Sequence, residues 1–90
     1  MAEKTHKQLE RYFKGSANHC RIAILLLLSK TPKLTLEGIT SILKGNNKTI
    51  SEHTKKLFIA GLISKKYKGQ NVEHTLSPYG EKFCVFIKSF

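Results

Sequence analysis

Residues 17 to 30, ANHCRIAILLLLSK, leave the fold the least freedom of any part of this sequence. The segment is rich in Leu and, wound as a helix, is apolar on nearly all sides. Such a helix is stable only where other elements cover it all round, so the run predicts a central buried helix about which the rest of the chain packs. The longest apolar stretch within it, Ile22 to Leu28, falls well short of the ~18 residues that span a bilayer. It also lies too far from the start for a signal peptide. Ser16 or Asn18 is the expected cap, and the helix is expected to end near Thr31-Pro32. With 90 residues in the chain there is room for one such core, and hence one domain.

The flanking segments supply the cover. Residues 4 to 13 place Leu9, Tyr12 and Phe13 at helical spacing, with Lys4, Lys7, Glu10 and Arg11 elsewhere, until Gly15 and Ser16 interrupt. Thr35 is a capping residue for a two-turn helix carrying Leu36, Ile39, Ile42 and Leu43, with Gly45 as its stop. Asn46 caps the next helix, whose inward face is expected to be Ile50, His53 or Thr54, Leu57 and Phe58, before Gly61 ends it. The period then changes to two. "LISKKY" and "VEHTLS" read as strands around a turn, "KGQN", in which Tyr67 and His74 pair across the hairpin. Ser77-Pro78 is a helix start, and Phe83, Phe86, Ile87 and Phe90 line one face of the closing helix.

Charge is the second constraint. The chain carries +10 with no Asp, and seven Lys against Glu52 fall between residues 44 and 68. Such a field favours an anionic partner, nucleic acid first and an acidic membrane surface second. If Ile50, Leu57 and Phe58 face the core, the opposite side of that helix presents Asn47, Lys48, Thr49, Ser51, Glu52 and Lys55. Asn, Lys and Glu side chains have the donor and acceptor patterns that read adenine, guanine and cytosine edges in the major groove. Lys44, Lys56, Lys65, Lys66, Lys68 and Gln70 lie on the flanks and the hairpin tip, where neutralising phosphate is the natural role. Glu52 also stands four residues from both Lys48 and Lys56, so an ion pair within the helix competes with base reading and ranks ahead of it. His53 reads as a packed histidine and not as a base.

The residues Leu34, Thr35, Ile39 and Leu43, then Thr49, Ser51 and His53, then Leu57, Gly61, Leu62 and Ile63, and after the hairpin Leu76, Ser77 and Gly80, keep a characteristic order and spacing. In this, roughly residues 20 to 83 resemble the ArsR/MarR-like winged-helix transcriptional regulators. The resemblance implies a mainly α fold with a small β-hairpin (α+β), a winged helix-turn-helix in the order α-α-α-α-β-β-α. It implies a helix-turn-helix at about 35–60, a wing at about 62–77, and terminal helices 4–13 and 78–89 used for dimerisation. Leu9, Tyr12, Phe13, Phe83, Phe86, Ile87 and Phe90 would then form the dimer interface. Their apolar surplus supports a dimer; packing of the last helix on the first within one chain is the alternative.

Some relatives sense metals, but the cysteine-rich motif of the arsenic and cadmium sensors is absent, as are the Asp and His ligand pairs of the zinc sensors. His6, His19, Cys20, His53, His74 and Cys84 are the only candidate ligands besides carboxylates, and no metal or cofactor is expected. Cys20 and Cys84 form no C-x-x-C pair and read as small buried hydrophobes, with a redox pair between them as the lesser alternative. No nucleophile–base pair or phosphate loop suggests an enzyme. The expectation is a cytoplasmic, nucleoid-associated homodimer that binds double-stranded DNA sequence-specifically and regulates transcription. A winged-helix protein-interaction module or an RNA-binding module is the alternative.

Overall fold

The computed structural model describes residues 3–90. In chain order the elements are α1 (His6–Ser16), α2 (His19–Lys30), α3 (Leu36–Leu43), α4 (Asn47–Ile59), β1 (Ile63–Lys68), β2 (Asn71–Leu76) and α5 (Pro78–Lys88). This is the expected winged helix-turn-helix order.

The apolar segment becomes α2, and it touches α1, α3, α4, α5 and β2. Ile24, Leu25 and Leu28 are closed off from solvent, and Ile39, Ile50, Leu57, Leu62, Ile63 and Cys84 complete the core around them. The cap is Asn18, whose Oδ1 accepts from the backbone N–H groups of Cys20 (2.8 Å) and Arg21 (3.2 Å). Ser16 instead ends α1, its hydroxyl donating to the Phe13 carbonyl at 3.0 Å.

Helix α1 runs further than residues 4–13. It starts after Thr5 in a capping box, Thr5 Oγ1 accepting from Gln8 N–H and Gln8 Oε1 accepting from Thr5 N–H. It continues through Gly15 because a bare Cα there lets α1 lie directly against α4; an added Cβ would overlap that of Ala60. The α3–α4 corner also differs from expectation. The left-handed residue is Lys44, with φ 54°, and not the glycine after it. Gly45 is needed for space, since a Cβ there would stand 3.0 Å from Ile50 Cγ1.

The hairpin pairs Ile63 with Leu76 through to Lys68 with Asn71, leaving Gly69 and Gln70 as a two-residue turn with Gly69 at φ 60°. Turn length fixes register. Tyr67 therefore faces Val72, and His74 faces Lys65, so the expected Tyr67–His74 pair is replaced by a diagonal relation. On its far side His74 bridges to Leu34: its N–H donates to the Leu34 carbonyl at 2.8 Å, and Lys33 N–H donates to the His74 carbonyl at 3.0 Å. The wing is thereby tied to the α2–α3 connection.

At the wing base, Gly61 turns the chain at φ 82° and Leu62 enters the core. Ser77 Oγ accepts from Gly80 N–H at 3.0 Å to cap α5 and donates to the Gly61 carbonyl at 2.6 Å, while Ser77 N–H donates to the Leu62 carbonyl at 3.1 Å. Gly80 rests on the same carbonyl, where a Cβ would collide.

Candidate nucleic-acid interface

Helix α4 begins where Asn46 Oδ1 accepts from the N–H groups of Lys48 (2.8 Å) and Thr49 (3.3 Å). Ile50, Thr54 and Leu57 are its buried positions, and Thr54 satisfies its hydroxyl by donating to the Ser51 carbonyl at 2.9 Å. Phe58, expected inside, is 47 % exposed. At about 100° per residue, it falls outside the arc that Ile50, Thr54 and Leu57 define. It lies instead beneath the wing, with Lys65 Nζ 5.2 Å from its ring centroid.

Asn47, Lys48, Thr49, Ser51, Glu52 and Lys55 are all exposed. Helical spacing puts Lys48, Glu52 and Lys55 at the middle of the outward face, Asn47 and Ser51 toward the wing, and Thr49 toward α1. The Glu52 ion pair does not form. Among the described residues the ion pairs join Glu10 to Lys14 (3.4 Å) and Glu73 to Lys68 (3.9 Å). Exposed pairs at helical spacing gain little, so such a pair forms in α1, between Glu10 and Lys14, without one having to form around Glu52.

The flanking cations do not form one surface. Lys65 and Tyr67 share the wing face that looks onto α4, where with Ser51, Gln70 and Glu37 they line a polar cleft. Lys66 and Lys68 take the other face, Lys66 opposite Glu73 in register and Lys68 paired with it. Gln70 is exposed at the wing tip, and Lys44 is exposed at the α3–α4 corner. Lys56 points away from the wing, into a shallow depression shared with Lys7, Arg11, Lys14 and Arg21. The i, i+4, i+7 spacing of Lys7, Arg11 and Lys14 is visible in the sequence; their proximity to α4 is not.

His53 accepts from Arg21 Nε at 3.1 Å through its Nδ1, and Arg21 Nη1 donates to the carbonyls of Lys14 (3.3 Å) and Gly15 (3.1 Å). Arg21 thus ties the end of α1 to the side of α4. Burial, and next the Arg21 cation, hold the His53 pKa below its ordinary value. No sequence signal gives this contact, because the two residues are far apart in the chain. Cys84 is buried and donates to the Leu25 carbonyl at 3.4 Å, and burial raises its thiol pKa; Cys20 is half-buried. Among the described residues no group of three or more His, Cys, Asp or Glu converges as metal ligands, and no helix is long and apolar enough to cross a membrane.

The terminal helices meet through aromatic rings. Phe13 packs edge-on against Phe83 (5.6 Å between centroids) and Phe86 (6.5 Å), and Phe86 against Phe90 (5.0 Å). Tyr12 leans on Tyr79 at 5.3 Å, with Lys4 Nζ 4.5 Å from the Tyr79 centroid. Phe83 is half-buried in this packing and Ile87 is half-buried as well, whereas Leu9, Phe13, Phe86 and Phe90 remain exposed. Val85, which no sequence argument singled out, is exposed as well. Packing of the last helix on the first is therefore present, yet it leaves an apolar face open.

The fold has close counterparts among solved structures. HlyU from Vibrio cholerae N16961 superposes with a TM-score of 0.85 at 25 % identity, over 98 % of this chain and 96 % of that one. Reduced HlyU from the same organism gives 0.82 at 24 % identity, covering 92 % and 87 %. The homodimeric winged helix-turn-helix DNA-binding domain of Mb0332 from Mycobacterium bovis, a possible ArsR-family transcriptional regulator, gives 0.84 at 22 % identity, covering 99 % and 88 %. No curated protein sequence matches the chain. Residues 19–65, which include α2, the helix-turn-helix and the start of the wing, match the sequence profile described as bacterial regulatory protein, arsR family. With more than half its length matched to that profile, the chain belongs to the arsR family of bacterial regulatory proteins.

Proposed function

We propose that the protein is a homodimeric transcriptional regulator, acting in the cytoplasm, that binds double-stranded DNA sequence-specifically, with α4 in the major groove and the wing on the phosphate backbone. The observation that carries this reading is the outward face of α4. Asn47, Lys48, Ser51 and Glu52 stand in solvent on its N-terminal half, with Lys55 just beyond, while Ile50, Thr54 and Leu57 fix the opposite side in the core. Recognition helices read base edges with that half. Lys66 and Lys44 are free to meet phosphate, and Lys65 and Lys68 would first give up contacts with Phe58 and Glu73.

Dimerisation rests on the open apolar face of α1 and α5 and on the homodimeric state of the Mb0332 domain. A two-fold dimer would offer its α4 helices to half-sites about 34 Å apart, one turn of DNA.

The test is a salt titration of duplex affinity. Affinity is expected to fall steeply, with a log–log slope of about −0.9 for each phosphate contact. Lys48→Ala should reduce discrimination between sites, and Lys66→Ala should weaken all sites alike. Affinity that does not change with salt, or equal effects of the two variants, would remove the proposed geometry.

A further inference from the structure

Helix α1 has two opposite faces. Leu9, Tyr12 and Phe13 turn toward α5, and Lys7, Arg11 and Lys14 form a stripe on the far side, all three exposed. Gly15 brings α1 so close to Ala60 that this stripe lies alongside α4. Lys56 of α4 and Arg21 of α2 line the same depression, and Arg21 is fixed there by its bonds to His53, Lys14 and Gly15. The only carboxylate in the depression is Glu10, and Lys14 already pairs with it.

We propose that this face of α1 is a second phosphate track on DNA, so that α4 is flanked by cations on both sides, the wing on one and α1 on the other. The inference rests on the reading of α4 as the DNA-contacting helix. Two observations favour a DNA backbone over an acidic protein. Lys56 sits on α4 itself, which makes the stripe continuous with the outward face of that helix. The rise from Lys7 to Lys14 is about 10 Å at ~1.5 Å per residue, close to the axial rise of three nucleotide steps on one strand at ~3.4 Å each. The wing side cannot serve these residues, because the wing meets α4 through Ser51 and Phe58, on the opposite flank from Lys56.

The experiment compares the wild-type chain, the double variant Lys7→Gln/Arg11→Gln, and Lys66→Gln. Each is titrated with labelled random-sequence duplex across a salt series and read by fluorescence anisotropy. Both α1 side chains are exposed, so thermal melting should match wild type and exclude a folding defect. The double variant is expected to bind more weakly, with a salt slope shallower by about 1.8 per protomer, or ~0.9 for each lost contact. If its slope and affinity equal those of wild type while Lys66→Gln is shallower, the α1 track is wrong and the α4–wing reading stands. If the wild-type chain binds no duplex at any salt, the DNA reading falls and the track with it.

Discussion

His74 shows how much one side chain can hold. Its backbone joins the wing to Leu34, and its ring is buried with Nδ1 2.9 Å from the same carbonyl, an arrangement that calls for a proton on Nδ1. Burial holds its pKa below the ordinary 6.5, outweighing the hydrogen bond to Leu34, which acts the other way. The unfolded chain therefore takes up protons first as pH drops below about 6.5, and stability is lost over the window from there down to the folded-state value. Above that window both states are neutral and the effect vanishes. Urea midpoints should be flat from pH 8 to 7 and decline toward pH 5. In His74→Leu the decline should shrink to the part that His53 supplies, its pKa being depressed in the same direction. An equal decline in the variant would place the pH-sensitive group elsewhere. Residues with local roles were legible in the sequence: Thr35, Asn46 and Ser77 cap helices as expected, since a cap bonds groups two or three positions away. The Arg21–His53 bond and the burial of His74 were not, because their partners come from distant parts of the chain.

Elements were read correctly in kind and order, and the errors fall where elements meet. Periodicity located α4 but placed Phe58 in the core, since residues adjacent in sequence differ by ~100° and only packing shows which one turns in. It located two strands but mispaired Tyr67 with His74, because register depends on whether the turn has two residues or more. Gly15 marked a break in the pattern and Gly80 only matched a family motif, yet both serve contact between elements: one admits α4 against α1, the other lets α5 rest on the Leu62 carbonyl. Gly80→Ala should therefore destabilise the fold even though alanine is the better helix former. The overlap is with backbone, which cannot rotate aside, so a loss of about 1–3 kcal/mol or more is expected in urea unfolding. A neutral or stabilising effect would mean that α5 sits further from Leu62 than described. For the candidate site, the outward residues of α4 were legible from the helix pattern, whereas the separation of Lys56 from the wing lysines needed the docking of α1 to become visible.

At the scale of the whole molecule, the terminal helices leave an apolar face uncovered. Phe90 is 91 % exposed, Val85 71 % and Phe86 47 %. On the proposed homodimer, the wild-type chain is expected to run at twice its own mass in size exclusion with light scattering, and Phe86→Glu at its own mass while its helical circular dichroism persists. A variant of unchanged mass would move the interface off this face. Because each copy would bring one α4, loss of the dimer should also lower affinity for a two-half-site duplex far more than for a single half-site. The wing has a different independence. Gly61, Ser77 and Gly80 close the hairpin at its base, and Leu34 holds it from the side, so nothing in the core depends on what happens at Gly69 and Gln70. Doubling the length of a flexible loop adds only about 0.6 kcal/mol of closure entropy. The wing tip is thus an insertion point with a fixed mount, where the wing can be lengthened, or a reporter grafted, without re-solving the packing of the fold.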